Sequence, residues 1–348
     1  MKKYKVVSLF SGCGGLDLGF LGGFTSLGKK YQKLNFDIIW ANDIFKEACL
    51  TYEKNLKHSI VCEDINKVLY EENFLQIGSS PLPTSADIVL GGFPCQDFSL
   101  AGKRKGFNNE KRGLLYKSMC EVIRRTNPVL FVAENVKGLL SMDKGNAIRT
   151  IIEDFSQLGY TVDPHLYLAA DYGVPQMRER VLIVGTRTDV LPKFTAPSPI
   201  YNKSNWVTAK DAIGDLEDIQ EGDFPNHYWS KAKINKGQGN TSINSAKPGP
   251  TMRAEHHGNI EYHWNKSRRL SAREAARIQS FPDDFIFYPS TSSAYKQIGN
   301  AVPPVLGWNV ANAIQNFLDN NLKQTNKDDI HTGSYSEGRG ISFAFGAK

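Results

Sequence analysis

The chain lacks the features that build secreted or membrane proteins. Cysteine is scarce: Cys13, Cys49, Cys62, Cys95 and Cys120 are the five in 348 residues, and no two stand as Cys-x-x-Cys. An odd number without that spacing disfavours both a disulfide framework and a zinc cluster. No apolar run approaches the ~20 residues of a membrane-crossing helix. The opening Met1-Lys2-Lys3-Tyr4-Lys5 passes straight into a strand pattern, without the apolar region of a signal peptide. A cytoplasmic, reducing compartment and no membrane partner are therefore expected. Internal repeats are also missing. A net charge of +6 suits a nucleic-acid partner without requiring one. Apolar residues are plentiful, at 41%, ample for a packed core, and 348 residues suffice for one large domain with a smaller one inserted or for two domains.

A further absence narrows the cofactor. The run Lys5 to Phe10 reads as a strand, followed by Ser11-Gly12-Cys13-Gly14-Gly15 and a helical stretch from Leu16 to Leu21. A glycine turn between strand and helix lets a ligand approach the backbone closely. The dinucleotide fingerprint requires glycine at position 17, where Asp17 stands, so NAD and FAD are disfavoured. After a long connection, Gly22 to Asn35, a second strand from Asp37 to Ala41 ends in Asn42-Asp43-Ile44, and a third strand-like segment closes in Asp64-Ile65. Each acid alone suits a helix N-cap. Their recurrence at successive strand ends suits the ribose and base of a nucleoside cofactor.

The chain is organised around Gly91-Gly92-Phe93-Pro94-Cys95-Gln96-Asp97-Phe98-Ser99, which follows the apolar run Ala86 to Leu90. Two glycines end a buried strand, and a Pro-Cys turn presents one thiol at its carboxyl edge, where open α/β sheets bind ligands. A basic loop follows, with Lys103, Arg104, Lys105, Lys111, Arg112 and Lys117 against the single acid Glu110. Such a loop suits a lid that closes over phosphates. Leu114 to Arg125 has helical spacing, and Val129 to Ala133 is a fourth buried strand ending in Glu134-Asn135-Val136. A carboxylate at the end of such a strand is costly to bury unless it is used. A helix from Ile148 to Leu158 precedes Gly173-Val174-Pro175-Gln176-Met177-Arg178-Glu179-Arg180, which enters the strand Val181 to Gly185. Alternation along a strand would put Arg178 and Arg180 on one face.

The texture changes near Arg187. Pro192 to Asn205 is rich in Pro and Ser, and Lys233 to Arg253 is loop-like and free of acids. His256, His257 and His263 show no metal-ligand spacing, and no metal is expected. Regularity returns with a helix at Ser271, where Glu274 completes a capping box, then Gln297 to Pro304 and a last helix from Val305 to Phe317. From Asn320 the chain is polar and reads as a loose tail.

Taken together these stretches resemble the C5-cytosine DNA methyltransferases of bacterial restriction-modification systems. The Pro-Cys-Gln turn, Phe-x-Gly-x-Gly-Gly, Glu-Asn-Val, Gln-x-Arg-x-Arg and the Gly299-Asn300-Ala301-Val302-Pro303 run stand in family order over roughly Val6 to Phe317. Ser8 departs from relatives that carry an acid two residues before the Phe. The resemblance implies an α/β fold. A Rossmann-like S-adenosylmethionine-dependent sheet domain, 1–186 rejoined by 290–322, would carry a smaller target-recognition domain at 187–289 and a tail at 323–348. It implies that S-adenosylmethionine lies against Phe10, Ser11, Gly12, Gly14, Gly15, Leu16, Asp43, Ile44, Asp64, Ile65, Pro94, Asn300 and Ala301. Cys95, Glu134, Arg178 and Arg180 would act on a cytosine flipped out of duplex DNA. Gln96, Ser99, Lys103, Arg104, Lys105 and Arg253 would touch the DNA. A monomer paired genetically with a restriction endonuclease is expected. Two alternatives are a tRNA cytosine-5 methyltransferase on the same scaffold and a catalytically silent DNA-binding regulator.

Overall fold

The structure, a computed structural model, describes residues 3–71, 81–94, 115–232, 241–254 and 260–331, with side chains to 322. In chain order the strands are β1 (Tyr4–Leu9), β2 (Phe24–Ser26), β3 (Lys29–Tyr31), β4 (Phe36–Asp43), β5 (Val61–Cys62), β6 (Ile88–Gly91), β7 (Leu130–Val136), β8 (Tyr160–Leu168) and β9 (Glu179–Arg187). The helices are α1 (Gly15–Leu21), α2 (Lys46–Leu56), α3 (Ile65–Tyr70), α4 (Leu115–Thr126), α5 (Asn146–Ser156), α6 (Ala209–Ile213), α7 (Ala272–Ile278), α8 (Thr291–Asn300) and α9 (Pro304–His331). Seven strands form one sheet in the order β5-β4-β1-β6-β7-β9-β8. Only β9 runs against its neighbours.

The central strands are near-continuous apolar runs because both faces of the sheet are covered. Alternate residues serve two apolar clusters. Val6, Ile88, Leu90, Leu130 and Val132 face one side, whereas Val7, Leu9, Val89, Phe131 and Ala133 face the other. The second side is closed by α3, α4 and α5: Tyr116, Met119, Val122 and Ile123 of α4 follow helical spacing into it. The first side is closed by α1, α9 and the 187–289 region, whose Leu191, Phe194, Met252, Ile260, Leu270 and Ile278 join the same cluster.

Three expectations need correction. The connection from Gly22 to Asn35 contains a hairpin, β2 paired with β3. Its loop residues Leu27 and Gly28 both have positive φ, as a tight hairpin requires. The last helix does not stop near Phe317 but continues to His331, so the chain beyond Asn320 begins as helix. Lys117 is not part of a free basic lid, because it sits on α4 with its Nζ 2.6 Å from Asp154 on α5. The capping box at Ser271 and Glu274 forms as expected.

The first forty residues interlock with α9. Glycines let α1 and α9 cross closely: a Cβ on Gly19 would lie 2.7 Å from the Gly307 carbonyl carbon. Tyr4 donates to Asp319 at 2.9 Å, Trp308 to the Gln32 carbonyl at 2.8 Å, and the Asn35 amide to Gln315 at 2.6 Å.

Candidate active site

Parallel register assembles the site. Leu9 pairs with Asn42 on one side and Gly91 on the other, and Gly91 pairs with Ala133. The next residue along each strand is therefore Phe10, Asp43, Gly92 or Glu134, and these four line the carboxyl edge of the sheet. That edge is where open α/β sheets bind ligands.

The glycine turn occupies one half of the edge. Phe10, Gly12 and Gly14 all have positive φ, at 54°, 56° and 91°. Glycine meets that requirement without strain at the latter two. The Gly12 amide donates to Asp43 at 2.7 Å and the Phe45 amide to the other Asp43 oxygen at 2.7 Å. Burial pushes the Asp43 carboxyl above its ordinary range, opposed by those backbone donors. A Cβ added at Gly12 would meet no protein atom within 4 Å, so the turn leaves an open cradle beside an acid. Ile44, 65% exposed, offers an apolar wall next to it. This combination fits a nucleoside cofactor with a ribose and a flat base. Gly15 packs against the other end of the chain, where a Cβ would lie 2.4 Å from the Val302 carbonyl. The return of the Gln297–Pro304 stretch to the turn is thus visible, though Asn300 itself is exposed. Asp64 takes the N-cap of α3, accepting from the Asn66 amide at 2.9 Å, and Ile65 is buried beneath it. Leu16 is buried on α1.

The other half holds a carboxylate–guanidinium pair. Glu134 and Arg180 stand on the same face of adjacent antiparallel strands, Arg180 opposite Val136. Arg180 Nε lies 2.7 Å from Glu134 Oε1, and each residue is 9% exposed. Burial lowers the Arg180 pKa, while Glu134 opposes the shift; an arginine remains charged regardless. The second Glu134 oxygen points to the Pro-Cys turn. A Cβ on Gly92 would lie 3.2 Å from Oε2, so glycine there lets the carboxylate approach the backbone two residues before Pro94. Asn135 fixes the same turn by donating to the Phe93 carbonyl at 2.9 Å. Pro94 is the last described residue of this turn. Cys95, Gln96, Ser99, Lys103, Arg104 and Lys105 lie outside the described residues, as do His256 and His257.

Arg178 does something different from Arg180. It is fully buried, and its guanidinium donates to the carbonyls of Met252 (2.9 Å), Gly299 (2.8 Å) and Ala301 (3.0 Å). It ties the 187–289 stretch and the Gln297–Pro304 run to the mouth of β9. Gln176 and Gln279 continue this junction: Gln176 accepts from the Met252 amide at 3.1 Å, and Gln279 donates to the Ala301 carbonyl at 2.6 Å. Arg253 follows Met252 on the segment packed against Gly299, where a Cβ would lie 2.1 Å from the Arg253 carbonyl carbon. The sequence alone assigns no role in the site to Asn135, Gln279, Ser8 or Asp17. Asn135 and the Gln-x-Arg spacing were in plain view, but long-range backbone acceptors leave no local pattern.

The model of the C-5 cytosine-specific DNA methylase family matches residues 4–248 and 225–316. Type II methyltransferase M.NgoFVII of Neisseria gonorrhoeae is 38% identical over 94% of this chain and 90% of its own length. Type II methyltransferase M.BsuRI of Bacillus subtilis is 35% identical over 94% of this chain and 83% of its own. Among solved structures, a prophage-encoded DNA modification methyltransferase of E. coli superposes with a TM-score of 0.68 at 24% identity, covering 91% of this chain and 100% of that one. S. pombe Dnmt2 superposes with a TM-score of 0.64 at 16% identity, covering 91% and 99%. At these identities the structural likeness concerns the fold.

Proposed function

The chain belongs to the C-5 cytosine-specific DNA methylase family and is a DNA cytosine-5 methyltransferase that uses S-adenosylmethionine, and from that premise we propose which residues carry the reaction. The observation that supports the assignment is the Glu134–Arg180 pair, held 2.7 Å apart with the other carboxylate oxygen beside the Gly92 backbone that precedes Cys95 in the chain.

Cys95 is the nucleophile. Cytosine C5 is a weak nucleophile until a thiolate adds to C6, which leaves the electron pair of the C5–C6 bond on C5. Glu134, anchored through Oε1 by Arg180, enters as the carboxylic acid, shares its Oε2 proton with N3 of the cytosine as the thiolate adds, and so stabilises the electron-rich ring. Arg180 keeps that carboxylate fixed and adds positive charge beside the base. The cofactor supplies an electrophilic methyl group. Loss of the C5 proton to a water molecule then returns the electron pair to the C5–C6 bond and expels the Cys95 sulphur as thiolate. Phe10, Ser11, Gly12, Gly14, Gly15 and Leu16, with Asp43, Ile44, Asp64, Ile65 and Pro94, hold the cofactor, and Asn300 and Ala301 close its pocket. Arg178 acts as a positioning residue, through the three carbonyls that it binds.

The 187–289 region reads the duplex, with Gln96, Ser99, Lys103, Arg104, Lys105 and Arg253 on the DNA. The 1–186 and 290–322 stretches form the catalytic unit. The protein works as a cytoplasmic monomer that protects DNA from a cognate endonuclease. Bisulfite sequencing of DNA from cells expressing the chain should show one methylated motif. Digestion by the endonuclease that cuts that motif should fail. Methylated tRNA with unmodified DNA would overturn the substrate assignment.

A further inference from the structure

One buried acid beneath the cofactor turn has no part in the scheme above. Asp17 is the third residue of α1 and is 1% exposed. Ser8, on the last turnward half of β1 and equally buried, donates its hydroxyl to Asp17 at 2.6 Å. The Ser11 hydroxyl, in the glycine turn itself, reaches the Ser8 hydroxyl at 2.9 Å and the Ser8 carbonyl at 3.2 Å. A chain of two hydroxyls therefore runs from the turn to the carboxylate. Tyr52 of α2 flanks the group and also packs under the turn, where a Cβ on Gly14 would lie 2.9 Å from its ring.

The arrangement is costly. No lysine, arginine or histidine among the described residues pairs with Asp17, and burial of an unpaired carboxylate is strongly unfavourable. An amide or a serine at position 17 would satisfy Ser8 without the charge. Groups kept at such cost cluster at functional sites, where their strain serves binding. The α1 N-terminus supplies only a partial positive charge. The cofactor is a cation at its sulphonium and carries an ammonium as well, so it brings the charge that the protein omits.

We propose that Asp17 is a positioning residue for S-adenosylmethionine, acting through Ser8 and Ser11 on the glycine turn, with its buried charge left for the cofactor to balance. This rests on the assignment of the turn to the cofactor. The acid and the hydroxyl are interchangeable in principle, since exchanging Ser8 and Asp17 conserves both groups and the total number of side-chain atoms.

The test uses the full-length protein and isothermal titration with S-adenosylmethionine, beside melting of the cofactor-free protein and duplex DNA binding. Asp17→Asn should melt higher than wild type at pH 8 yet bind the cofactor about tenfold more weakly, equivalent to ~1.4 kcal/mol. DNA affinity should be unchanged. The double exchange Ser8→Asp/Asp17→Ser should bind within about threefold of wild type, a difference of well under 1 kcal/mol, whereas Asp17→Ser alone should not. Stability and cofactor affinity moving in opposite directions is something a purely structural role would not produce. Wild-type cofactor affinity in Asp17→Asn would overturn the proposal. So would equal loss of cofactor and DNA binding, or a double exchange no better than Asp17→Ser. If Asp17→Asn does not fold, the double exchange decides alone. Gly14→Ala separates the two readings: a cofactor affinity equal to wild type in that variant would refute the turn assignment itself.

Discussion

Arg180 and Glu134 each hold the other in place: the guanidinium Nε is 2.7 Å from the carboxylate, and both are largely buried. Removing one member of a buried pair strands the other and typically costs about 3–5 kcal/mol. Arg180→Ala is therefore expected to lose several kcal/mol in urea unfolding, and Glu134→Gln much less, since the amide still accepts from Arg180. Both should lose methyl transfer by orders of magnitude. The combination Arg180→Ala/Glu134→Gln should regain part of the lost stability and none of the activity. An Arg180→Ala protein as stable as wild type would mean that the pair contributes nothing to the fold.

Cys95→Ser is expected to abolish turnover while leaving duplex binding largely intact, because an alkoxide does not form at neutral pH without a dedicated base. Duplex DNA with 5-fluorocytosine at the target gives a sharper measurement. Fluorine cannot leave as a cation, so the base should remain bonded to Cys95, in a complex that survives boiling in detergent. The complex should require S-adenosylmethionine and be missing in Cys95→Ser. Methylation without any trapped complex would assign the attack to another group.

Much of this site was readable in the sequence because parallel sheets place function at strand ends. The glycines after β1, the acids after β4 and β5, the Pro-Cys turn after β6 and Glu134 at the end of β7 all follow apolar runs. The partnership of Glu134 with Arg180 was less legible, since it depends on the antiparallel register between β7 and β9. The role of Arg178 was hidden for another reason: its acceptors are main-chain carbonyls 74, 121 and 123 residues away, and every residue type carries one. The β2–β3 hairpin was missed because three-residue strands show no periodicity, and α9 was cut short because its polar end resembles a tail.

Reversing Lys103 and Lys105 to glutamate should weaken binding to every duplex sequence alike. If each lysine meets one phosphate, the slope of log affinity against log salt should fall by about 2, near 0.9 per contact. Filter binding over a salt series on target and non-target duplexes measures both. A loss confined to the target would assign these lysines to base reading instead.

Asp17 sets a pH dependence. Burial, the largest influence, pushes its carboxyl up to about 6 from an ordinary 3.8. The unfolded chain therefore ionises first as pH rises from about 4 to 6, binds fewer protons than the native state there, and the fold loses stability across that window. A shift of about two units corresponds to about 3 kcal/mol. The difference in unfolding free energy between Asp17→Asn and wild type should accordingly grow from pH 4 to pH 7 and then level off. A flat difference would show that the Asp17 carboxyl titrates alike in the folded and unfolded chain.

The crossing of α1 with α9 bears on synthesis. The glycine turn leans on Val302 and on a helix whose Gly307 meets Gly19, so the ribosome makes the turn some 280 residues before its backing, counting from Gly15 to the 297–304 stretch. Nascent chains hold the apolar side of α1 uncovered for most of translation and should engage chaperones until α9 emerges. Premature termination anywhere before Pro303 is expected to yield protein unable to retain S-adenosylmethionine, which ultraviolet cross-linking of labelled cofactor to stalled chains would reveal. Methylating capacity is thus expected to arrive all at once, when the 297–304 stretch and α9 have been made, rather than growing with the length of the chain.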